Sequence, residues 1–177
     1  MDVELSEAQR LIRDTVRDFT KREIAPLADR IDAEDWFPRE LWPRLGDLGV
    51  LGIMVPEEYG GSNADLLSGV LVIEELAKAS ASIALSYGAH ANLCVNNITI
   101  HASAEQKRRY LPGIANGELR LQAFAVTEPD AGSETTRIQT RAVKHDDHYV
   151  VNGQKVFISR VQESDLMVLL ARTTPYG

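Results

Sequence analysis

A single cysteine, Cys94, is all the thiol this chain holds, so no disulfide closes within it and the composition fits a reducing compartment. It stands in the apolar stretch "ANLCVNNI" without a nearby base, which reads as a buried, unreactive thiol. Positive charge is in deficit as well. With 19 Lys and Arg against 26 Asp and Glu, the formal net charge is −7, which argues against broad nucleic-acid binding because phosphate affinity needs clustered cations. The basic run "KRR", Lys107 to Arg109, is most simply one solvated helical face. No apolar run approaches the roughly 18 residues that span a bilayer. The opening "MDVELSEAQR" has no apolar core of a secretion signal. The expected location is a bacterial cytoplasm or a mitochondrial matrix, with no membrane role. Missing too are a Gly-x-Ser-x-Gly elbow, a Walker loop and a Rossmann fingerprint, which removes three common signals of hydrolysis and phosphate binding.

What the chain does have is enough apolar material for a core: 177 residues, 44% of them hydrophobic and 25% charged. Up to about Leu119 the periodicity is helical. "SEAQ" at Ser6 is a capping box, and Ala8, Leu11, Ile12, Val16 and Phe19 recur as one stripe behind it. A second helix is expected to open at Pro38, where a missing N–H costs nothing, and to end in "LGDLGVLG". Those glycines neither follow a strand nor open a helix, so they read as a helix end and not as a phosphate loop. "VPEEYGGSN" (55–63) is a loop. "LLSGVLVIEELAKA" and "SIALSYGAHANLCVNNITIHA" read as two largely buried helices, and the small residues Ser86, Gly88, Ala89 and Ala91 mark close packing or a cavity wall. "SAEQ" at Ser103 repeats the capping box and starts a helix that ends near Gly117.

Beyond Leu119 the pattern turns to strands: "LRLQAFAV", "RIQTRAVK", the expected type I′ hairpin "HYVV-NG-QKVFIS", and a largely buried "DLMVLLART". Three or four strands make a poor free-standing sheet, so the chain reads as cut inside its second domain.

Several stretches carry chemistry-bearing groups. "TEPDAGSE" presents hydroxyls and backbone amides to one side, a cradle for a neutral heterocycle; its acidic Glu128 and Asp130 argue against gripping a phosphate. An elaborate turn that satisfies its own backbone is the plainer alternative. In "KVFIS", Phe157 and Ser159 share one face if the segment is a strand and line a planar cofactor; a core Phe with a satisfied Ser is the alternative. "HDDH" (145–148) holds metal-ligand types, yet it sits where Asp-Asp is ordinary turn material. His90 and His101 read as satisfied or exposed histidines. Glu57-Glu58 and Glu74-Glu75 are adjacent and do not face one another, so neither pair is an acid/base couple.

Together these motifs resemble the flavin-dependent acyl-CoA dehydrogenases. Ala125, Val126, Thr127, Glu128, Pro129, Asp130, Ala131, Gly132 and Ser133 match that family's signature, with Glu134 where Asp is usual and Arg137 where a small residue is usual. "VPEEYGG" is present unaltered. "NGQKVFIS" resembles the second flavin-contacting strand, with Phe157 where Trp is common, and Arg160 follows where Asn is usual. "LSYGAHANLCVNN" with "EQKRRYLPG" is similar to the isovaleryl-CoA dehydrogenase branch.

The resemblance implies an α+β fold: an all-α N-terminal domain over 1–118, then the beginning of a β-sheet or barrel domain over 119–177, with a C-terminal helical domain absent. It implies FAD held by Phe124, Val126, Thr127, Gly132, Ser133, Phe157, Ile158 and Ser159. Ser133, Leu85 and Ala89 would face the acyl-CoA. The implied reaction is α,β-desaturation of a short or branched acyl-CoA, with electrons passed to an electron-transferring flavoprotein and a homo-oligomer, dimer or tetramer, at full length. The catalytic glutamate is expected beyond Gly177, so no catalytic residue is assigned and the chain by itself is expected to be inactive. A flavin oxidase or monooxygenase of the same fold, or a non-catalytic helical binding module, are the other readings.

Overall fold

The computed structural model describes residues 4–174; parts of "MDVELSEAQR" and "TTPYG", and so the outer ends of the spans 1–118 and 119–177, lie outside the described residues. The architecture is helical first and β second. Helix α1 (Glu7–Phe19) starts on the expected capping box: Gln9 N–H donates to Ser6 Oγ at 3.2 Å, and Ser6 N–H donates back to Gln9 Oε1 at 2.9 Å. The stripe behind it is rotated from expectation. Val16 and Phe19 are buried and Ile12 is half-buried, but Ala8 is exposed and Leu11 is 68% exposed. The inward face runs through Gln9 instead, whose amide reaches Asp65 Oδ2 at 2.7 Å across the bundle.

Pro26 reshapes the next two turns. It cannot donate, and in an α-helix its ring would press on the carbonyl four residues back. The chain widens into a π-helix (Thr20–Ile24), with Ala25 N–H bonded to Thr20 O. It tightens into a 3-10 turn (Ala25–Leu27) and then resumes as α2 (Ala28–Ala33). Helix α3 (Leu41–Asp47) begins three residues later than expected, because Pro38 O and Arg39 O are used in a turn by Leu41 N–H and Trp42 N–H. Its end is the helix stop expected in "LGDLGVLG". Gly49 takes φ +73°, Gly49 N–H bonds Gly46 O at 2.7 Å, and Val50 N–H bonds Leu45 O at 3.3 Å, the paired bonds of a Schellman cap.

Helices α4 (Leu66–Ala77) and α5 (Ala81–Gly88) are capped by Asp65 and Ser80. Instead of stopping, α5 widens into a second π-helix (Ala89–Val95) and continues as α6 (Asn96–His101). Helix α7 (Ala104–Ala115) opens on the second capping box, at Ser103, and is followed by Gly117 at φ +83°. One apolar cluster, including Val16, Leu41, Trp42, Leu45, Val72, Leu76 and Tyr87, fills the space among α1, α3, α4 and α5. A second, of Val55, Cys94, Val95, Leu111, Ile114 and Leu121, takes Phe124 and Val168 against it and so joins helices to strands. Burial pushes the Cys94 thiol up to about 12, as suits an inert core cysteine. Glu74 and Glu75 share the Lys78 ammonium, at 3.3 Å and 2.8 Å, but only Glu75 is buried, where it also meets Arg17 at 2.8 Å.

The strands are short. β1 (Ala123–Ala125) pairs in parallel with β4 (Met167–Leu169), and β2 (Arg141–His145) pairs antiparallel with β3 (His148–Asn152). This corrects the expected hairpin. The turn is Asp146-Asp147, inside "HDDH", while Asn152 is the last rung of the ladder opposite Arg141. Gly153 serves a close approach instead: a Cβ there would collide with the Thr140 side chain. Residues 154–159 form no strand, and β4 is half-exposed, not largely buried. Among the described residues no helix is long and apolar enough to cross a membrane.

Two glycines separate tight packing from mere helix membership. A Cβ on Gly46 would collide with the Asn116 carbonyl, whereas on Gly88 it would meet only Ile73 Cδ1 at 3.6 Å. Gly46→Ala should cost about 3 kcal/mol through overpacking against backbone. Gly88→Ala should add about 0.5 kcal/mol by restricting the unfolded chain. Urea midpoints followed by circular dichroism check both; indistinguishable midpoints for the two variants would contradict the packing described.

Candidate functional site

The bend after β1 is organised from inside by Glu128. Its carboxylate accepts Gln139 N–H at 2.5 Å, Thr140 N–H at 2.9 Å and the Lys155 ammonium at 2.8 Å. Both partners of this ion pair are under a tenth exposed. Burial alone would raise the carboxyl's titration, but the Gln139 amide, the Lys155 ammonium and Thr140 outweigh it and bring it down to about 2. The expected acidity of the turn is therefore partly cancelled: Glu128 is neutralised within the fold, while Asp130 and Glu134 stand exposed. The turn also closes on itself, through Glu128 N–H to Ala131 O at 2.9 Å and Ala131 N–H to Glu128 O at 3.2 Å.

Lys155 does two things at once, since its ammonium also donates to Val126 O at 2.7 Å. Next to it, Val156 N–H donates to Thr127 O at 3.0 Å. The segment carrying Phe157, Ile158 and Ser159 is thereby fastened beside the Thr127 turn. It is a loop with no strand alternation, so the expected shared face of Phe157 and Ser159 is not supplied by a pleat. Phe157 instead adopts φ +58° with 93% of its surface exposed. A bulky residue at positive φ is a genuine outlier.

Ile158 is half-buried, and Ser159 is exposed. Val126 and Phe124 are half-buried, the latter on the second apolar cluster. Gly132 and Ser133 are exposed, and a Cβ on Gly132 would meet nothing within 4 Å, so no protein neighbour requires the glycine. Among the described residues, the hydroxyls of Thr127, Ser133 and Ser159 have no hydrogen-bond partner.

On the helical side Leu85 is 68% exposed, and the half-buried Ala89 begins the second π-helix, a departure frequently found at functional sites. His90 behind it is fully buried with its ring nitrogens 3.1 Å from Leu51 O and from Leu121 O, which tethers the helix to the start of β1. Burial pushes this imidazole down to about 4, so near neutral pH the ring is uncharged and donates to one of the two carbonyls. The small-residue cluster divides: Ser86 and Ala91 pack inward, while Ala89 borders the open side.

Two features that hold the site together escape a reading of the sequence alone. Lys155 and the inward Glu128 lie 27 positions apart, and only their opposite charges hint at pairing. Arg160 joins the Phe157 loop to α5, through Ser82 Oγ at 2.8 Å and Ser86 Oγ at 3.3 Å. "HDDH" is the turn its Asp-Asp pair predicts, and only the stacking of its two imidazoles at 5.5 Å is not legible in the sequence.

Residues 6–118 match the family model described as the N-terminal domain of acyl-CoA dehydrogenase, and residues 123–177 match its middle domain. The mitochondrial isovaleryl-CoA dehydrogenase of Bos taurus is 44% identical over 171 residues, covering 96% of this chain and 40% of the relative. The crystal structure of an acyl-CoA dehydrogenase from Geobacillus kaustophilus superposes with TM-score 0.91 at 37% identity, over 100% of this chain and 46% of that one. An FAD complex of PigA superposes with TM-score 0.91 at 32% identity, over 99% of this chain and 46% of that one. The chain thus spans less than half the length of the relatives it matches.

Glu128 makes acid stability measurable. With its titration lowered from 4.5 to about 2 in the fold, the stability it supplies is complete above about 4.5 and is lost as pH falls from there toward 2. Glu128→Gln leaves the Lys155 ammonium buried without its counter-ion, and should cost about 3 kcal/mol near pH 7. The variant should also flatten the acid limb between those two pH values in chemical denaturation. An unchanged acid limb would show that the ion pair is not what secures the turn.

Proposed function

The chain belongs to the acyl-CoA dehydrogenase family, and from that premise we propose that it forms the flavin-side part of an FAD-dependent enzyme desaturating a short or branched acyl-CoA. In this reading 1–118 is the N-terminal helical domain and 119–177 the beginning of the middle β-domain. The observation that carries it is Phe157, an aromatic ring left almost wholly exposed on strained backbone, on a segment fastened to the Thr127 turn through Val156. A side chain in that state is what a site for a planar polar ring would offer.

The residues present fit the flavin. Thr127 and the backbone around Val126 would meet the pyrimidine edge. Phe157, with Ile158, would pack beside the ring and Ser159 would hydrogen-bond to it, while Gly132 lets a ligand approach the turn closely. Phe124 supports the strand from below. Bound there, FAD supplies the two-electron acceptor that carbon–carbon desaturation needs. The protein's part is to orient the thioester and exclude water: Ser133 would reach its pantetheine arm, and Leu85 with Ala89 would wall a small tail.

Glu128 is no candidate for the proton-abstracting base, since it is committed to Lys155 and two backbone amides. An electron-transferring flavoprotein as acceptor, assembly into a homo-oligomer, and a bacterial cytoplasm or mitochondrial matrix as location belong to the same proposal. The alternative oxidase or monooxygenase reading would use the same flavin face and differs in passing electrons to oxygen.

Titration of the purified protein with FAD, followed by quenching of flavin fluorescence, should show one saturable site. Phe157→Ala combined with Ser159→Ala should weaken it about tenfold, near 1.4 kcal/mol. Absence of quenching by the unaltered protein would overturn the proposal. With FAD and an artificial acceptor, the 177-residue polypeptide should not turn over isovaleryl-CoA, because Glu128 is committed to Lys155 and two amides while the remaining acids of the turn, Asp130 and Glu134, lie open to water. Steady turnover would show that a base has been missed.

A further inference from the structure

Arg160 stands between the two halves of the site, and its interactions are unusual for an arginine. Its backbone is left-handed, at φ +53°, two residues after Ile158. Its guanidinium donates through Nη2 to Ser82 Oγ at 2.8 Å and through Nε to Ser86 Oγ at 3.3 Å, and lies 4.8 Å over the Phe37 ring. Ser86 Oγ already donates its own hydrogen to Ser82 O at 2.9 Å, so toward Arg160 it can only accept. Among the described residues no carboxylate pairs with Arg160; the nearby Glu163 is taken by Arg39 at 2.6 Å, and Asp165 by Arg120 at 3.0 Å.

These bonds occupy a particular helix face. Ser82, Ser86 and Ala89 follow at helical spacing along one side of α5 and the start of the π-helix, with Leu85 adjoining them. The other end of the link is the loop that presents Phe157 and Ser159. A strap that only needed fastening already has two salt links, Arg39 to Glu163 and Arg120 to Asp165. Arg160 adds what they do not, a direct tie between the exposed ring and the wall of small residues. A planar fork suits such a tie, because it reaches two hydroxyls in fixed directions while its face rests on an aromatic ring, which a flexible ammonium cannot reproduce.

We propose that Arg160 is a positioning residue that sets the spacing between the Phe157 loop and the α5 wall, and so limits the size of the acyl tail the site admits. This rests on the flavin and acyl assignments proposed above. Loss of the fork should loosen the loop without unfolding the protein, since the two flanking salt links remain. A looser loop should admit longer tails.

The test compares the unaltered chain with Arg160→Gln, Arg160→Lys and Ser82→Ala/Ser86→Ala. In the flavin-free protein, amides of 156–160 should exchange about tenfold faster in all three variants, with exchange in the α4 core unchanged. With FAD bound, dissociation constants for butyryl-, isovaleryl- and octanoyl-CoA are read from perturbation of the flavin spectrum. The unaltered protein should favour the two short thioesters over octanoyl-CoA by about tenfold, and the variants should narrow that to about threefold or less. Arg160→Lys should behave like Arg160→Gln.

Unchanged exchange and unchanged tail preference in Arg160→Gln would overturn the proposal. Full rescue by Arg160→Lys would overturn it too, by showing that charge and not the fork matters. Faster exchange throughout the core would reduce Arg160 to a general stabiliser. Failure of the unaltered protein to bind FAD would sink the parent reading together with this one, whereas normal FAD binding with unaltered tail preference sinks only this one.

Discussion

Glu128 enters the interior as a carboxylate, and two other pieces of chain are arranged around its oxygens. The Gln139 and Thr140 amides bring in the approach to β2, and Lys155 brings in the segment that follows β3. Because Lys155 also donates to Val126 O, one ammonium fixes both the acid and the strand leading to it. A buried ion pair of this kind adds little net stability over an apolar contact, since desolvation offsets most of the attraction. What it does supply is uniqueness, because any arrangement that separates the partners strands a charge in the interior. The Thr127 turn and the Phe157 loop are therefore held together by a constraint that tolerates no alternative register.

Aromatic rings carry the constraint on to the helical side. Phe37 lies beneath the Arg160 guanidinium and packs on Trp42 at 6.0 Å, and Trp42 meets the His90 ring edge-on at 5.1 Å. His90 in turn reaches Leu121 O, one residue before Gln122 and the start of β1. The Phe157 loop and the start of β1 are thus anchored on one buried set of rings, the loop through Arg160 and the strand through His90. Edge-to-face pairs and a cation over a ring each contribute on the order of 1 kcal/mol beyond burial. Their geometric effect is larger than that figure conveys, because they tie helices and strands into one body around the open face.

That open face runs against the hydrophobic effect. Leu85 and Phe157 are both more than two-thirds exposed, while most large apolar side chains of the helical half are buried in two clusters. Exposed apolar side chains scattered singly call for no explanation, but Phe157 stands two residues from the exposed Ser159, on a segment fastened to the Thr127 turn through Val156. Strained backbone at Phe157 persists because Lys155 and Val156 on one side and Arg160 on the other leave the loop no freedom to relax. The stability given up at this face is what a ligand bound there would restore.

Local rules made much of the helical half legible. Capping boxes at Ser6 and Ser103 and the glycine stops at Gly49 and Gly117 depend on residues within a few positions of one another, so the local sequence alone determines them. The signature turn from Ala125 to Ser133 is likewise readable, and it carries the family. The strand half misled the local rules. Asn-Gly is a strong hairpin signal, yet the turn formed at Asp146-Asp147, because Gly153 is needed where Thr140 approaches within contact distance. The Leu11 and Ala8 positions lie outward, and Gln9 between them meets Asp65 across the bundle. By itself, then, the sequence determined the capped helix starts at Ser6 and Ser103, the glycine stops at Gly49 and Gly117, the order of helices before strands and the identity of the turn. Only the tertiary structure decided that Glu128 faces Lys155, that Phe157 stands exposed on left-handed backbone and that Arg160 reaches Ser82. Those are contacts between residues far apart in the chain, whose energies exist only once the core has brought them together.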